Sequence, residues 1–595
     1  MSTATRPEVL PDVTGIEKEP LIVTTSVSPS PLEAESPSEK PSWRSVAARR
    51  KHEINSTIPT EWLVPSDLLE SKSTVDLVKK CGLLTEKEVT IVYDTAVDLL
   101  QKLRERKYTA VEVTTAFCKA AAIAHQATNC LAWTMFTTAL ATAKSLDAYM
   151  EEHGVPIGPL HGLPISVKEH LYLKDTPSTS GFVAWANDFC ETEDREGVCV
   201  KMLRDAGAVF HVKTTNPQGL MELETDSNLY GVTTNPLNRN LTPGGSSGGE
   251  AALIAMHGSI LGIGTDIGMF LTTFIAVYTA TSANHFPGGS IRVPAISCGL
   301  HGIRPSIARL PHSGLSGTHS GMESIIGVVG PLATNLADLE LFCKVLLDSE
   351  PWRHEPSLIP LPWKTAQTEK LDRKLKIGII HSDGVHAPHP PIQRVLKETE
   401  KKLIAAGHEI VSFPVHLHET IATCIDKLYL LDGGAEYREV LYTGDEPATP
   451  LLEWLLEKPT SQYLTISEQW VLHRERSRLQ EEYQKLWREA GIDCLICPGG
   501  VAVAHALGES KYWGYSSVWN AMDRAVITLP VGEVLESDRW EEGEGKRTDM
   551  EALWGEGVEG AKKYEGASVG LQIVGERLQE EKLFGMARVI EEVLR

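Results

Sequence analysis

The sequence predicts one large α/β domain. Three observations carry that reading: helical and strand-like stretches alternate through to the C-terminus, no internal repeat interrupts them, and a tail-like composition opens the chain. With 595 residues, 42% of them hydrophobic and 23% charged, the chain has material for a sizeable core.

In chain order, residues 1–41 are rich in Pro, Ser, Thr and Glu and poor in aromatics, the composition of a disordered tail; the folded domain is expected over 42–595. A basic cluster (Arg49, Arg50, Lys51) leads into IPTEWLVPSDLL, read as an arm packed on that domain. Thr85–Glu88 is a capping box, and Val89, Val92, Ala96, Leu99 and Leu103 follow at helical spacing. A second box at Thr109–Glu112 opens another helix, and Leu140–Met150 is a third. The short apolar run PISV reads as a strand ending at Lys168. Val200–Thr215 reads as helix then strand, turning at Gly207. Asn335–Leu347 is helical, and Glu350–Lys370 is a Pro-rich connection. Strand Lys376–Ile380, helix Pro391–Ala406 with Val395, Leu396, Thr399 and Leu403 inward, and strand Glu409–Phe413 form a βαβ pattern. Helix Ile466–Ala490, strand Asp493–Cys497, helix Ser516–Val526, an extended Ile527–Val531, strand Val569–Val574 and a last helix complete the alternation.

Composition narrows the function. A net charge of −22 opposes nucleic-acid binding and an anionic membrane surface, both of which need a basic face. The acidic Glu533–Glu559 reads as a solvated loop. Ten scattered cysteines suit free thiols in a reducing compartment; Cys494 and Cys497, in GIDCLICPGG, read as core, and no metal site is expected. Without a signal-type h-region or an Arg-rich leader, the cytoplasm is the expected location.

The chemistry is concentrated in Thr242–Ser306. Gly244, Gly245, Gly248 and Gly249 bracket Ser246 and Ser247, and the helix-favouring Glu250–Met256 follows, so a Gly/Ser loop feeds a helix N-terminus suited to an oxyanion. A further serine, Ser290, follows Gly288-Gly289 and precedes Arg292. The strings GGSSGGEAALIA, GTDIG and GSIRVPA resemble the central signature of the amidase signature family of serine hydrolases. GPLHGLPISVKEH, ETDSNLYGVTTNP and LFCKVLLDSEPW resemble its fungal acetamidase branch.

The resemblance implies the amidase signature fold, a mixed twisted sheet covered by helices on both faces. It implies a catalytic Lys168 as base, Ser246 as proton relay preceded by a cis peptide, and Ser290 as the nucleophile that forms an acyl-enzyme. Ile267, Gly268, Gly288 and Gly289 are the expected oxyanion turn, and Asp266 and Arg292 a structural pair beside it. Met221, Thr225 and Asp226, with Glu224 on the same loop, are expected at the substrate, and Ser247 as a supporting hydrogen-bond partner. WGYSSVWNAM (513–522) supplies aromatics either to the substrate pocket or to the core. No cofactor is implied. The expected partner is a small-molecule amide, without nucleic acid or stable membrane insertion, and homodimerisation is left open. A glutamine-hydrolysing amidotransferase subunit and a non-catalytic amidase-like protein are the rival readings.

One departure stands out. In the family GTDIG runs directly into GSIR, whereas here the 20 residues 269–288 intervene. A membrane span is disfavoured because the apolar part, Met269–Ala283, is short and holds four threonines. A true inserted loop and a translated intron remain; the intron is the preferred reading, and the codons permit it. Gly-Met-Phe accommodates a GTATGT donor, Ala-Asn a branch point, and Pro-Gly an AG acceptor.

Overall fold

Short runs of aliphatic and β-branched residues form the strands of the computed structural model, which describes residues 41–266, 288–319, 321–369, 371–541 and 547–595. The tail, the 269–287 stretch, Ile267 and Gly268 lie outside the described residues. Ser42–Arg595 forms one compact unit. Its strands are β1 (Leu131–Thr134), β2 (Pro164–Lys168), β3 (Val209–Thr214), β4 (Leu261–Asp266), β5 (His301–Arg304), β6 (Val328–Ala333), β7 (Lys376–Ile379), β8 (Glu409–Ser412), β9 (Cys494–Pro498), β10 (Val526–Glu533) and β11 (Ser568–Val574). Among the described residues they make one mixed sheet in the order β1-β3-β2-β4-β6-β5-β10-β11-β9-β7-β8.

Both faces of this sheet are buried. Along β9, Cys494 and Ile496 join one apolar cluster while Leu495 and Cys497 join another. Alternate residues of a strand point to opposite faces, so each cluster belongs to its own face. That double burial explains why the central strands read as continuous apolar runs. It also makes both cysteines of the C-x-x-C core residues, buried in a strand.

β2 runs parallel to β4, with Ser166 opposite Gly262 and Val167 opposite Ile263. Parallel pairing brings their C-terminal ends to one edge of the sheet. Lys168, Thr265 and Asp266 therefore arrive together.

Several helices begin where the capping chemistry puts them. Thr85, Thr109 and Thr465 each close a complete capping box. The apolar run behind Thr85 is two helices, Glu86–Val92 and Ala96–Arg104. Thr95 restarts the chain by accepting from the Asp98 N–H, so helical spacing continues across a break. The expected arm contains a helix, Trp43–Ser56, capped by Ser42; its charged residues hid the narrow stripe of Ala47, Arg50 and Ile54 that faces inward. The helix expected over 516–526 spans Gly514–Ala521, and Val526 already belongs to β10.

The C-terminal helix Glu580–Leu594 is fastened by charge as well as by packing. Buried Arg309 pairs with Glu580 (3.3 Å) and Glu581 (2.7 Å), and the Ser306 N–H donates to Glu580 (2.8 Å). Removing one partner of a buried ion pair strands the other. Arg309→Met is expected to cost about 3–5 kcal/mol in urea unfolding, because two buried carboxylates lose their cation.

Candidate active site

Lys168 ends β2 with its side chain wholly removed from water. Its Nζ lies 2.7 Å from Ser246 Oγ and 3.0 Å from Thr265 Oγ1. Burial is the largest influence on the amine and pushes its pKa down to about 7, although Asp266, Glu250 and Glu169 pull it upward. Thr265 carries the network on to His170, whose Nε2 is 2.9 Å from the same hydroxyl and whose Nδ1 is 3.0 Å from the Ser316 carbonyl. A carbonyl only accepts, so Nδ1 bears the proton and Nε2 accepts from Thr265. Burial holds His170 well below its ordinary pKa, which keeps the ring neutral and in that tautomer. Behind Lys168, Glu250 accepts from Ser166 (2.5 Å) and Thr214 (2.9 Å); burial raises its pKa to about 8.

Ser246 sits on the Gly/Ser loop, after a cis Gly245–Ser246 peptide. The helix Gly248–Ala255 follows, as the sequence suggests. A side chain at residue 245 would lie 2.2 Å from the Glu224 carbonyl oxygen and 2.4 Å from that of Glu222, so only glycine fits. Thr225 braces this loop by donating to the Gly244 carbonyl (2.8 Å). Met221 is buried in an apolar cluster with Leu223 and Tyr437. Asp226 contributes its carbonyl to the Gln218 N–H, and burial raises its carboxyl pKa. Glu224 is held by the N–H groups of Gly508 and Ser510.

The turn after β4 is clamped by an ion pair. Arg292 meets Asp266 at 3.0 Å, both fully buried. Burial alone would raise the Asp266 pKa, but Arg292, Arg304 and Asn520 outweigh it and hold it at about 2. Asp266 also accepts from the N–H groups of Gly289 (3.0 Å) and Ile291 (3.4 Å). Arg292 reaches onward to Gln572 (2.9 Å), Asn520 (2.6 Å) and the Ser516 carbonyl (3.0 Å). Gly289 has φ +121°, and a side chain there would meet Ser516 at 2.7 Å. The Gly288 carbonyl accepts from Ser516 Oγ.

Lys168, Ser246 and Ser247 therefore gather at the turn that carries Ser290. The Ser247 N–H donates to the Ser290 carbonyl (3.1 Å), and the Ser247 hydroxyl to that of Thr265 (3.3 Å). Ser290 Oγ is buried without a hydrogen-bond partner among the described residues, so the Lys168–Ser246 bond stops one step short of it. An unsatisfied buried hydroxyl costs about 1–3 kcal/mol, and in native proteins such a group commonly has a chemical task. The Gly289 N–H is engaged by Asp266 rather than free for an oxyanion, while Ile267 and Gly268 lie outside the described residues. Sequence reasoning missed Thr265, His170, Asn520 and Gln572. Thr265 lies in the GTD string, His170 two residues after Lys168 and Asn520 in WGYSSVWNAM, but their bonds appear only in the fold; Gln572 carried no signal.

The Amidase family model matches residues 112–269 and 287–584, passing over 270–286. The chain is 37% identical to the acetamidase of Emericella nidulans, over 93% of its own length and 98% of that protein. It is 36% identical to the acetamidase of Aspergillus oryzae, over 93% and 99%. Among solved structures it resembles fatty acid amide hydrolase at TM-score 0.84 and 31% identity, over 93% of this chain and 95% of that one. A bacterial aryl acylamidase of the amidase signature family shares the fold at TM-score 0.66 and 17% identity, over 85% and 97%.

The clamp makes a prediction of its own. A double-mutant cycle with Asp266→Asn and Arg292→Met, read by urea unfolding, is expected to give a coupling of at least about 2 kcal/mol. Either single change leaves a buried charge uncompensated, and the double change removes both.

Proposed function

The chain belongs to the amidase signature family, whose members act on amide C–N bonds, and we propose that it hydrolyses small carboxylic amides through Lys168, Ser246 and Ser290. It is an acetamidase-like hydrolase by its relatives, two acetamidases matched over nearly their whole length. The observation that carries the finer reading is a buried lysine amine 2.7 Å from a serine hydroxyl. With a pKa of about 7, Lys168 is substantially neutral at working pH, and its lone pair accepts the Ser246 proton. Ser246 Oγ in turn takes the proton of Ser290 Oγ as that oxygen attacks the amide carbonyl. The tetrahedral intermediate collapses to an acyl-enzyme as the proton returns through Ser246 to the departing nitrogen. Water then repeats the sequence and releases the carboxylate. Ser290 gains its link to Ser246 when substrate fills the turn, since such bonds tighten in the reacting complex. Thr265 and His170 hold the amine in place, and the Asp266–Arg292 pair holds the nucleophile's turn.

We also propose that 269–288 comes from unspliced message. The family model passes over nearly the same residues. The bonds from Asp266 to Gly289 and Ile291 span 23 and 25 positions here, and would span three and five once 20 residues are removed. Asp266 and Gly289 are already in contact across the insertion, which supports the shorter chain. In it Ile267-Gly268 would join Gly289-Ser290, and a single oxyanion donor is worth about 10²–10³ in rate.

Three measurements check this. In either form, kcat/KM for acetamide is expected to rise with pH through an apparent pKa near 7, because the base must lose its proton. Lys168→Ala should lose that limb and at least about 10³-fold in rate. A fluorophosphonate probe is expected to label Ser290, and Ser290→Ala to abolish labelling; an unlabelled, folded wild-type chain would count against the nucleophile. Transcript sequence across 268–289 should include a message lacking those codons, and its product should be at least about 10²-fold faster than the 595-residue chain.

A further inference from the structure

A cavity shares Asn520 with the turn that carries Ser290. It encloses about 470 Å³ and is lined by Arg476, Arg524, Arg577, Gln480, Gln484 and Asn520, with Asp523 and Glu323 as its acids. That size suits a small organic ligand. Arg476, Gln480 and Gln484 recur every fourth residue of the helix Ile466–Ala490, so one polar stripe of that helix faces the cavity.

Its charges do not balance locally. Asp523 is held by Arg577 and lies 3.4 Å from Arg304. Among the described residues, Arg476 and Arg524 have no carboxylate within ion-pair distance; Asp523 acts on both, and Glu576 on Arg524, only from farther away. Arg524 is 4% exposed, stacked over Trp487 and bonded to the neutral Gln484 amide. Arg476 donates to the Ser324 carbonyl, while its Nε is buried with no partner among the described residues. Buried guanidinium groups are ordinarily paired, because leaving water costs them more than neutral hydrogen bonds return. Burial pushes the pKa of both arginines down, the direction expected where a counter-charge is missing. Two under-compensated guanidiniums facing one cavity, in a chain of net charge −22, is a local arrangement rather than a general excess of cations.

We propose that this cavity is an oxyanion-binding site, distinct from the Lys168–Ser246 site, in which Arg476 and Arg524 receive a small carboxylate or phosphate. Guanidinium forks match either group. Asn520 joins the cavity to the nucleophile's turn, since its amide donates to Asp266 (2.7 Å).

The test is calorimetric titration of the full chain with acetate, benzoate and phosphate at fixed ionic strength, alongside melting curves. Saturable binding of at least one anion, with a matching rise in Tm, is expected. Arg476→Gln should weaken it about tenfold or more, since charge-assisted hydrogen bonds are lost. Arg577→Gln, at an exposed side chain that pairs with Asp523, should also weaken it, since Asp523, still held by Arg304, is then less compensated and offsets the cavity's cations; its Tm without anion is the reference for this comparison. Preference for a carboxylate marks an organic acid as the occupant, and preference for phosphate a phosphoryl group; either supports the site. No saturable binding, or unchanged affinity in the folded variants, would overturn it. Because binding is read without turnover, the result stands apart from the proposed amide hydrolysis.

Discussion

The complete withdrawal of the Lys168 amine from water is the constraint on which the rest of this structure depends. Among the described residues, an ammonium in that position has no carboxylate in direct contact, and its hydrogen-bond partners are two neutral hydroxyls. Desolvation therefore outweighs the more distant attraction of Asp266, Glu250 and Glu169. The neighbouring residues answer the same condition. His170 is kept neutral and turns a lone pair toward Thr265, so this ring adds no cation beside the amine. Glu250 sits at the back with its pKa raised, held by two hydroxyls. A basic amine at neutral pH is thus built from burial and neutral dipoles.

The sheet explains how residues far apart in the chain reach that amine. Parallel β2 and β4 deliver Lys168, Thr265 and Asp266 to one edge. The Gly/Ser loop crosses that edge with no side chain at Gly245, where backbone carbonyls press in. Arg292 then ties the turn to β11 through Gln572 and to the helix Gly514–Ala521 through Asn520 and Ser516. The WGYSSVWNAM stretch serves the site through these polar residues, while Trp519 lies in the core. Among the residues that make the signature recognisable, replacing Gly245 would collide with backbone, replacing Gly289 would put a side chain at positive φ against Ser516, and replacing Arg292 would strand a buried charge.

Much of this was legible in the sequence, for physical reasons that differ by element. Capping boxes at Thr85, Thr109 and Thr465 are local, so their helices begin where the residues say. The strand ending at Lys168 was visible as an apolar run because both faces of the sheet are buried. The Trp43–Ser56 helix was not, since three inward residues among many charges make a weak pattern. The three helices between Leu417 and Glu457 also escaped, because the βαβ reading stopped at Phe413. Thr265, His170, Asn520 and Gln572 act through contacts that only the folded chain creates.

The most direct test is titration of the Lys168 amine itself, by carbon-13 NMR of ε-labelled lysine, with the resonance assigned by its loss in Lys168→Arg. The account predicts a midpoint near pH 7 in the folded chain. A midpoint near the ordinary lysine value, about 10.4, would mean that the amine stays charged at neutral pH, and the reading of residue 168 as a base would fall.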